Sequence, residues 1–172
     1  PMVESNRAFV GRVTVIHSPT AVAPDAKPSV ALRSGRDSSM RMAIDAVSEG
    51  KAAAVVSGGN TGALMAMALF VLRALPGISR PALTSLLPSR NGDVVVLDLG
   101  ANIDCAANNF VQFAIMGSAF ASAVLGRRSP SIGLLNVGSE DTKGKESLRE
   151  AARLLKAATE QPWSYHGFVE GD

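Results

Sequence analysis

Apolar residues fall along the chain in two alternating spacings. Short apolar runs, typical of strands, alternate with longer segments whose apolar residues have helical spacing. The pattern predicts strands at Arg12–His17, Ala52–Val56, Ala82–Leu87, Val94–Leu99, Ile132–Val137 and Tyr165–Val169. It predicts helices from the cap residues Asp37–Ser39 to Glu49, and over Thr61–Leu75, Ala107–Leu125 and Glu146–Ala158. We expect Thr20–Arg36, which is rich in Pro and Ala, to be a loop.

The alternation of strands and helices predicts the fold class. It favours a three-layer α/β fold, in which a mainly parallel sheet has helices on both faces. The pair Asn91-Gly92 lies between two strand runs and is a hairpin signal, so we expect one antiparallel pair as well. The chain has no internal repeat and no low-complexity linker, and residues 1–172 are predicted to form a single α/β domain.

Composition narrows the class of protein. Apolar residues make up 47% of the chain and charged residues 19%, which indicates a globular protein. The net charge is +2 and no Lys/Arg block is interleaved with aromatics, so we expect no nucleic-acid binding. The single cysteine, Cys105, cannot form an internal disulfide and fits a reducing, cytoplasmic compartment. The apolar run 63–72 is shorter than the roughly 20 residues that a membrane span needs.

The segment Ser57–Gly62 carries the strongest local signal for chemistry. It lies between a predicted strand and a predicted helix, so several unpaired backbone N–H groups should point at one spot. Such a spot suits an oxyanion, and Asn60 and Thr61 add side-chain donors. Gly59 and Gly62 would let a ligand approach the backbone closely. The spacing fits neither the dinucleotide fingerprint nor the P-loop, and a tight turn without a ligand is an equal alternative.

Two further polar loops also follow predicted strands. The segment Asp98–Asp104 holds two carboxylates and Asn102, and Asn136–Gly144 holds an amide, a hydroxyl, two acids and Lys143. Open α/β sheets bind ligands at the carboxyl ends of their strands, so the three loops are expected to converge there. The structural alternative is that Asn102 and Asp104 cap the next helix and that Lys143 is solvated.

Several long motifs in this order resemble the bacterial phosphate acyltransferase (PlsX) family. They are Ser57-Gly-Gly-Asn-Thr-Gly-Ala-Leu-Met65, Leu75-Pro-Gly-Ile-Ser-Arg-Pro-Ala82, Leu97-Asp-Leu-Gly-Ala-Asn-Ile-Asp104, Gln112-Phe-Ala-Ile-Met-Gly-Ser118 and Gly133-Leu-Leu-Asn-Val-Gly138. The resemblance covers nearly everything from Arg12 onward. It implies a fold similar to that of phosphotransacetylase and isocitrate dehydrogenase.

The resemblance also implies a longer enzyme. The family's opening Asp-Ala-Met-Gly-Gly-Asp motif and a later Asp-Gly-Phe-x-Gly-Asn loop have no counterpart in this sequence. We therefore expect the chain to be the central part of a longer protein and inactive as an isolated fragment. The family further implies a homodimer that associates with the inner face of the cell membrane through parts outside this chain.

The reaction that the resemblance implies is transfer of a fatty acyl group from acyl carrier protein to inorganic phosphate. Phosphate is the nucleophile, so the chemistry needs an anion cradle and support for the tetrahedral oxyanion rather than a nucleophilic side chain. Ser57, Gly59, Asn60, Thr61 and Gly62 are candidates for the cradle, with Asp98 and Asp104 as further substrate-binding residues. Lys143, Asn136 and Asn102 are the catalytic candidates, with Lys143 foremost because it is the only cation within the three loops.

We expect neither a cofactor nor a metal, because no His, Cys, Asp or Glu cluster has ligand spacing. Lys27, Arg33, Arg36 and Arg41 either form a solvated face or reach phosphate or an acidic carrier protein. One alternative activity is phosphotransacetylase-like transfer from acyl-coenzyme A. The other alternative is a non-catalytic fragment that binds anions or a partner protein.

Overall fold

The computed structural model describes residues 8–171 and divides into two compact units, Pro1–Arg73 and Ala74–Asp172. The first unit contains the helices α1 (Pro28–Ser34), α2 (Ser39–Ser48) and α3 (Thr61–Leu72). The second unit contains, in chain order, β1 (Thr84–Ser89), β2 (Gly92–Leu97), α4 (Ala107–Leu125), β3 (Ser131–Leu135), α5 (Glu146–Ala157) and β4 (Ser164–Val169). The expectation of one incomplete domain over the whole chain stays a prediction.

Helices α2 and α3 each begin after a polar residue whose side chain caps the helix. The Ser38 hydroxyl accepts from the Arg41 N–H at 3.3 Å and caps α2. The Asn60 side chain caps α3 in the same way. Side-chain oxygens at these positions replace the partners that the first turn of a helix lacks. The three helices enclose an apolar core whose buried members are Ala31, Met40, Ile44, Ala63 and Met67.

One helix of the first unit was not predicted. The predicted loop Thr20–Arg36 contains α1, which has Pro28 in its first turn and buries Ala31 against the core. Proline is tolerated at the start of a helix because the first N–H groups have no intrahelical acceptor. The Pro-rich composition therefore concealed a seven-residue helix.

The strands predicted at Arg12–His17 and Ala52–Val56 are wrong. Neither segment pairs with a strand among residues 8–171, and both are irregular there. Most of their apolar residues are exposed, with Val15 at 73% and Val56 at 96%, although Val55 packs against the core of the first unit. A strand needs a neighbour to pair its N–H and C=O groups, so an apolar run alone does not make one. Among residues 8–171 the strands form two two-stranded sheets, one antiparallel and one parallel, in place of the single mainly parallel sheet that was expected.

The strands of the second unit confirm the α/β class and the antiparallel hairpin. Strands β1 and β2 pair from Thr84 opposite Leu97 to Ser89 opposite Gly92, and Gly92 has a φ of +98° at the turn. Strands β3 and β4 run parallel, with α5 between them in the chain. This β3–α5–β4 connection is the supersecondary unit expected of parallel strands.

The core of the second unit lies between α4, α5 and the β3–β4 pair. Its buried residues are Ala114, Leu134, Ala151, Leu155, Trp163 and Phe168. Helix α4 is long and apolar enough to cross a membrane by length and composition alone. It also buries Asn109 and Ser118 and packs against α5 and β2, so we interpret it as the central helix of this unit.

Replacement of Leu155 by Ala should destabilise the second unit, because Leu155 is 1% exposed in the core. We expect a loss of about 2–5 kcal/mol, the range for large-to-small changes in cores. Urea unfolding followed by the fluorescence of Trp163, the only tryptophan, measures the effect inside the same core. Val124→Ala on the exposed side of α4 is the control and should change stability by less than about 0.5 kcal/mol. Equal losses in both variants would contradict this description of the core.

Candidate functional site

The Asn60 side chain is occupied by structural hydrogen bonds. Its Oδ1 accepts from the Ala63 N–H at 2.9 Å, and its Nδ2 donates to the carbonyls of Pro24 and Ala26, both at 2.9 Å. The amide therefore fastens the start of α3 to the chain before α1. Its direct contact with phosphate stays a prediction, and the geometry favours a positioning role.

The backbone of Ser57–Gly62 still leaves donors open. The Gly59 N–H donates to the Ser57 hydroxyl at 3.2 Å, whereas the N–H groups of Thr61 and Gly62 have no hydrogen-bond partner among residues 8–171. A Cβ at Gly62 would lie 2.9 Å from the Pro28 Cγ. The close packing of Gly62 against Pro28 therefore accounts for a glycine at this position, whether or not a ligand binds. The exposed first turn of α3 keeps the character of an anion site.

The Asp98 carboxylate organises the loop after β2. Its Oδ1 accepts from the N–H groups of Leu83 at 2.7 Å and Ala101 at 3.3 Å. Its Oδ2 accepts from the Asn102 N–H at 2.6 Å and from Asn102 Nδ2 at 2.9 Å. Nδ2 of Asn102 also donates to the Pro81 carbonyl at 2.9 Å, which engages both of its hydrogens. Both side chains thus shape the loop, and their roles toward substrate stay predictions.

Asp104 and Asn102 do not cap the next helix. The N-cap of α4 is Ala106, whose N–H donates to Oδ1 of the buried Asn109 at 2.9 Å. The Asp104 side chain is exposed, and the backbone carbonyl of Asp104 accepts a hydrogen bond from Arg80 Nη1 at 3.2 Å. Asp104 is therefore free of the capping role that the sequence left open.

A polar network that sequence reasoning missed holds the segment around Arg80. The N–H and hydroxyl of Ser79 both donate to Gln112 Oε1, at 2.9 and 2.8 Å, and Asn109 Nδ2 donates to the Ser79 hydroxyl at 3.0 Å. These bonds join residue 79 to α4 and place Arg80 beside Asp104. Their sequence signal was the pair of family motifs over 75–82 and 112–118, which carried no assigned role.

The loop after β3 is fastened by its own backbone and by Arg149. The Asn136 N–H donates to the Val169 carbonyl at 2.9 Å, and its Nδ2 donates to the Lys143 carbonyl at 3.2 Å. Arg149 Nη1 donates to the carbonyls of Thr142 at 3.2 Å and Gly144 at 3.0 Å, and its Nη2 pairs with Glu146. Arg149 therefore holds the loop that carries Lys143.

Lys143 presents its ammonium to solvent. The side chain is exposed, and within residues 8–171 it forms no ion pair. Its N–H donates to the Glu140 carbonyl at 3.0 Å, and its Cγ lies 3.1 Å from where a Cβ at Gly138 would be. The loop thus fixes the base of the side chain and leaves its charge available for an anion.

A cleft of about 530 Å³ opens beside this loop. It is lined mainly by apolar side chains, with the Asn136 amide, Lys145 and Ser147 as polar members; its apolar lining residues are Phe110, Leu135, Val137 and Leu148. Lys145 follows the predicted loop by one residue and is the N-cap of α5, which is why the sequence reasoning passed over it. An apolar cleft with a few polar groups is the usual form of a small-molecule site.

The Cys105 thiol lies in the field of charges from the loop after β2, from Arg80 and from the N-cap of α5. Burial raises the pKa of the Cys105 thiol, and the carboxylates of Asp98 and Asp104 raise it further. Arg80 and Lys145 act in the opposite direction. The thiol donates to the Asn102 carbonyl at 3.7 Å and stays protonated near neutral pH, so it is no ready nucleophile.

Hydrogen bonds within the second unit join Asp98 to Asn102, Arg80 to Asp104 and Asn136 to Lys143. Asn136 and Lys145 line one cleft, and neither Arg80 nor Lys145 was predicted. The segment Ser57–Gly62 belongs to the first unit, where it forms a candidate anion site. Among residues 8–171, no group of three or more His, Cys, Asp or Glu side chains could hold a metal ion.

The chain belongs to a bacterial family described as fatty acid synthesis protein, whose family model matches residues 1–172. It is 58% identical over 172 residues to a phosphate acyltransferase of Rhodospirillum centenum, covering 100% of this chain and 48% of that protein. It is 54% identical over 173 residues to a phosphate acyltransferase of Rhodospirillum rubrum, covering 100% of this chain and 49% of the relative. A phosphate acyltransferase of Paramagnetospirillum magneticum is 54% identical over 162 residues, 94% of this chain and 46% of the relative.

These matches confirm the resemblance to phosphate acyltransferases. The chain spans about half the length of the curated relatives it matches.

Replacement of Arg149 by Met should loosen the loop after β3. We expect amide hydrogen exchange at residues 140–145 to become about tenfold faster, because two hydrogen bonds from a charged donor to the loop are lost. Arg153→Met is the matched control, since Arg153 also pairs with a glutamate three residues earlier on α5 but bonds nothing in the loop. Unchanged exchange in Arg149→Met would show that the loop is held by other contacts.

Alkylation of Cys105 by iodoacetamide tests the convergence of the two loops. Because the folded pKa is raised, the rate should reach its midpoint at a higher pH in the folded chain than in the chain unfolded in urea. Lys145→Met should move the midpoint further up and Asp104→Asn should move it down, since the two charges act in opposite directions. If Lys145→Met leaves the pH midpoint of alkylation unchanged, Lys145 lies outside the site.

Proposed function

We propose that this chain carries the acyl-transfer site of an enzyme that moves a fatty acyl group from acyl carrier protein to inorganic phosphate. The product, an acyl phosphate, would serve phosphatidic acid and phospholipid synthesis. The observation that carries the proposal is the pair of cations, Lys143 and Lys145, beside an apolar cleft in a chain related to phosphate acyltransferases. Fatty acyl donors need an apolar surface and phosphate needs positive charge.

The proposed step is direct attack of phosphate on a thioester. A phosphate oxygen bonds to the carbonyl carbon, the carbon–sulfur bond breaks, and the released thiolate takes up a proton. No enzyme nucleophile is required, in agreement with the raised pKa of the Cys105 thiol. The protein's task is to hold the phosphate anion against the carbonyl carbon of the neutral thioester and to stabilise the developing oxyanion.

The residues of the second unit divide this task. Lys143 and Lys145 would neutralise phosphate and the oxyanion, and Asn136 keeps one Nδ2 hydrogen for substrate after bonding the Lys143 carbonyl. Asp98, Asn102 and Arg149 would act as positioning residues, since their polar atoms are engaged in loop contacts. The apolar cleft would receive the acyl chain. In the first unit, the open N–H groups of Thr61 and Gly62 support a phosphate site on α3.

We also propose the assembly that goes with this activity. The enzyme would be a cytoplasmic homodimer that associates peripherally with the inner face of the cell membrane through segments outside this chain. Exposed apolar residues, Val56 in the first unit and Ile103 and Val137 in the second, support the proposal that other parts of the protein cover each unit.

Product analysis tests the proposal and separates it from its alternatives. A full-length protein that carries this chain is incubated with phosphate and either acyl carrier protein thioester or acyl-coenzyme A, and acyl phosphate is trapped with hydroxylamine. The proposal expects product from the carrier-protein thioester at the higher kcat/KM. Preference for acyl-coenzyme A would favour the phosphotransacetylase-like alternative, and phosphate binding without product would favour a non-catalytic anion-binding protein.

Replacement of Lys143 or Lys145 by Ala in that full-length protein should lower kcat/KM by about ten- to a thousandfold, comparable to losing an oxyanion donor. Both side chains are exposed, so the fold should persist, as circular dichroism can show. Lys156→Ala, at the exposed far end of α5, is the control and should keep full activity. Full turnover in both site variants would remove these lysines from the mechanism.

A further inference from the structure

The first unit contains a second concave surface, which the proposed chemistry does not use. A pocket of about 410 Å³ is lined by Leu32, Arg33, Arg36, Arg41, Asp45 and Phe70. We call it the arginine pocket. Its side chains come from α1, from the α1–α2 connection, from α2 and from α3, so the packing of the three helices shapes it.

The charges of the arginine pocket are not balanced within the unit. Arg41 pairs with Asp45 at 2.8 Å, which neutralises one arginine. Arg33 donates its Nε to the Ser29 carbonyl of its own helix at 3.2 Å, which leaves both Nη groups open. Arg36 has no hydrogen-bond or ion-pair partner among residues 8–171. Two guanidinium groups are therefore exposed in one concave surface, and neither pairs with a carboxylate among residues 8–171.

An apolar residue lies beside these two cations. Phe70 of α3 is 63% exposed and lines the same pocket as the half-buried Leu32. Helix α3 is apolar on all sides, so the part of it that the core does not cover leaves an aromatic side chain, Phe70, in the solvent. An aromatic anchor flanked by arginines is the composition of an interface centre rather than of ordinary surface.

We propose that the arginine pocket docks an acidic helical surface of a partner protein. An apolar side chain of the partner would enter between Leu32 and Phe70, and flanking carboxylates would bond Arg33 and Arg36 in the forked geometry that guanidinium favours. The charge complementarity selects an acidic occupant. Its identification with the acidic acyl carrier protein rests on the proposed function.

Binding measurements on this chain test the proposal without requiring activity. Fluorescently labelled acyl carrier protein is titrated with the wild-type chain, with the double variant Arg33→Glu/Arg36→Glu and with Phe70→Ala. The charge-reversal variant should raise Kd by about tenfold or more, because like charges would then face each other. Phe70→Ala should also raise Kd but leave the salt dependence unchanged, since it removes no charge. Wild-type affinity should fall as NaCl rises.

The double variant Arg127→Glu/Arg128→Glu is the matched control. It reverses the same number of charges at exposed arginines of the second unit and should change Kd by less than about threefold if attraction is local. Equal losses in both double variants, an unchanged Kd in Arg33→Glu/Arg36→Glu, or no binding by the wild-type chain would overturn the docking surface.

Kinetics in the full-length protein keep this proposal distinct from the proposed function. With the docking surface disabled, KM for acyl carrier protein thioester should rise, whereas turnover of a small acyl-pantetheine thioester should be unaffected. If the wild type forms acyl phosphate but KM is unchanged in the Arg33→Glu/Arg36→Glu variant, the docking surface is wrong and the proposed function stands. Absence of acyl phosphate from every donor would defeat the proposed function, while the titration would still decide the docking surface.

Discussion

The four hydrogen bonds to the Asp98 carboxylate are the interaction on which the candidate site depends most. Their donors are the N–H groups of Leu83, Ala101 and Asn102 and the Asn102 amide, at 2.6–3.3 Å. A carboxylate with this many donors is a strong, charge-assisted hub. It ties the entry of β1 to the exit of β2, and so it fixes where the chain turns toward α4. The positions of the Cys105 thiol and the Asp104 carboxylate therefore depend on that turn.

The loop after β3 is also held by hydrogen bonds, but here the acceptors are backbone carbonyls rather than a carboxylate. Its backbone carbonyls at Lys143 and Gly144 accept from the side chains of Asn136 and Arg149, one from the end of β3 and one from α5. Polar groups that could serve a ligand are thus spent on holding the loop. The ammonium groups of Lys143 and Lys145, at the end of this loop, form no ion pair with residues 8–171 and stay available. This division between groups that position and groups that remain available is what a preorganised site requires.

Much of the fold followed from local signals in the sequence, and the errors have physical reasons. Helix α4 and the hairpin around Asn91-Gly92 were predicted because caps, periodicity and turn residues act over a few positions. The strands predicted around Val15 and Val56 failed because a strand also needs a distant partner, which no local pattern supplies. The sequence identified the polar loops, but it did not reveal that Arg149 holds the loop after β3 or that Lys145 lines the cleft. Both depend on how α5 folds back onto the loop.

The central claim is that the cations after β3, rather than a nucleophilic side chain, receive the phosphate. Titration of this chain with inorganic phosphate, followed through the ¹³Cε signals of its lysines, tests it most directly. The account predicts saturable shifts at Lys143 and Lys145, with little change at Lys51 and Lys156, two exposed lysines that do not belong to the loop after β3. Small, linear shifts of equal size at all four lysines would contradict it.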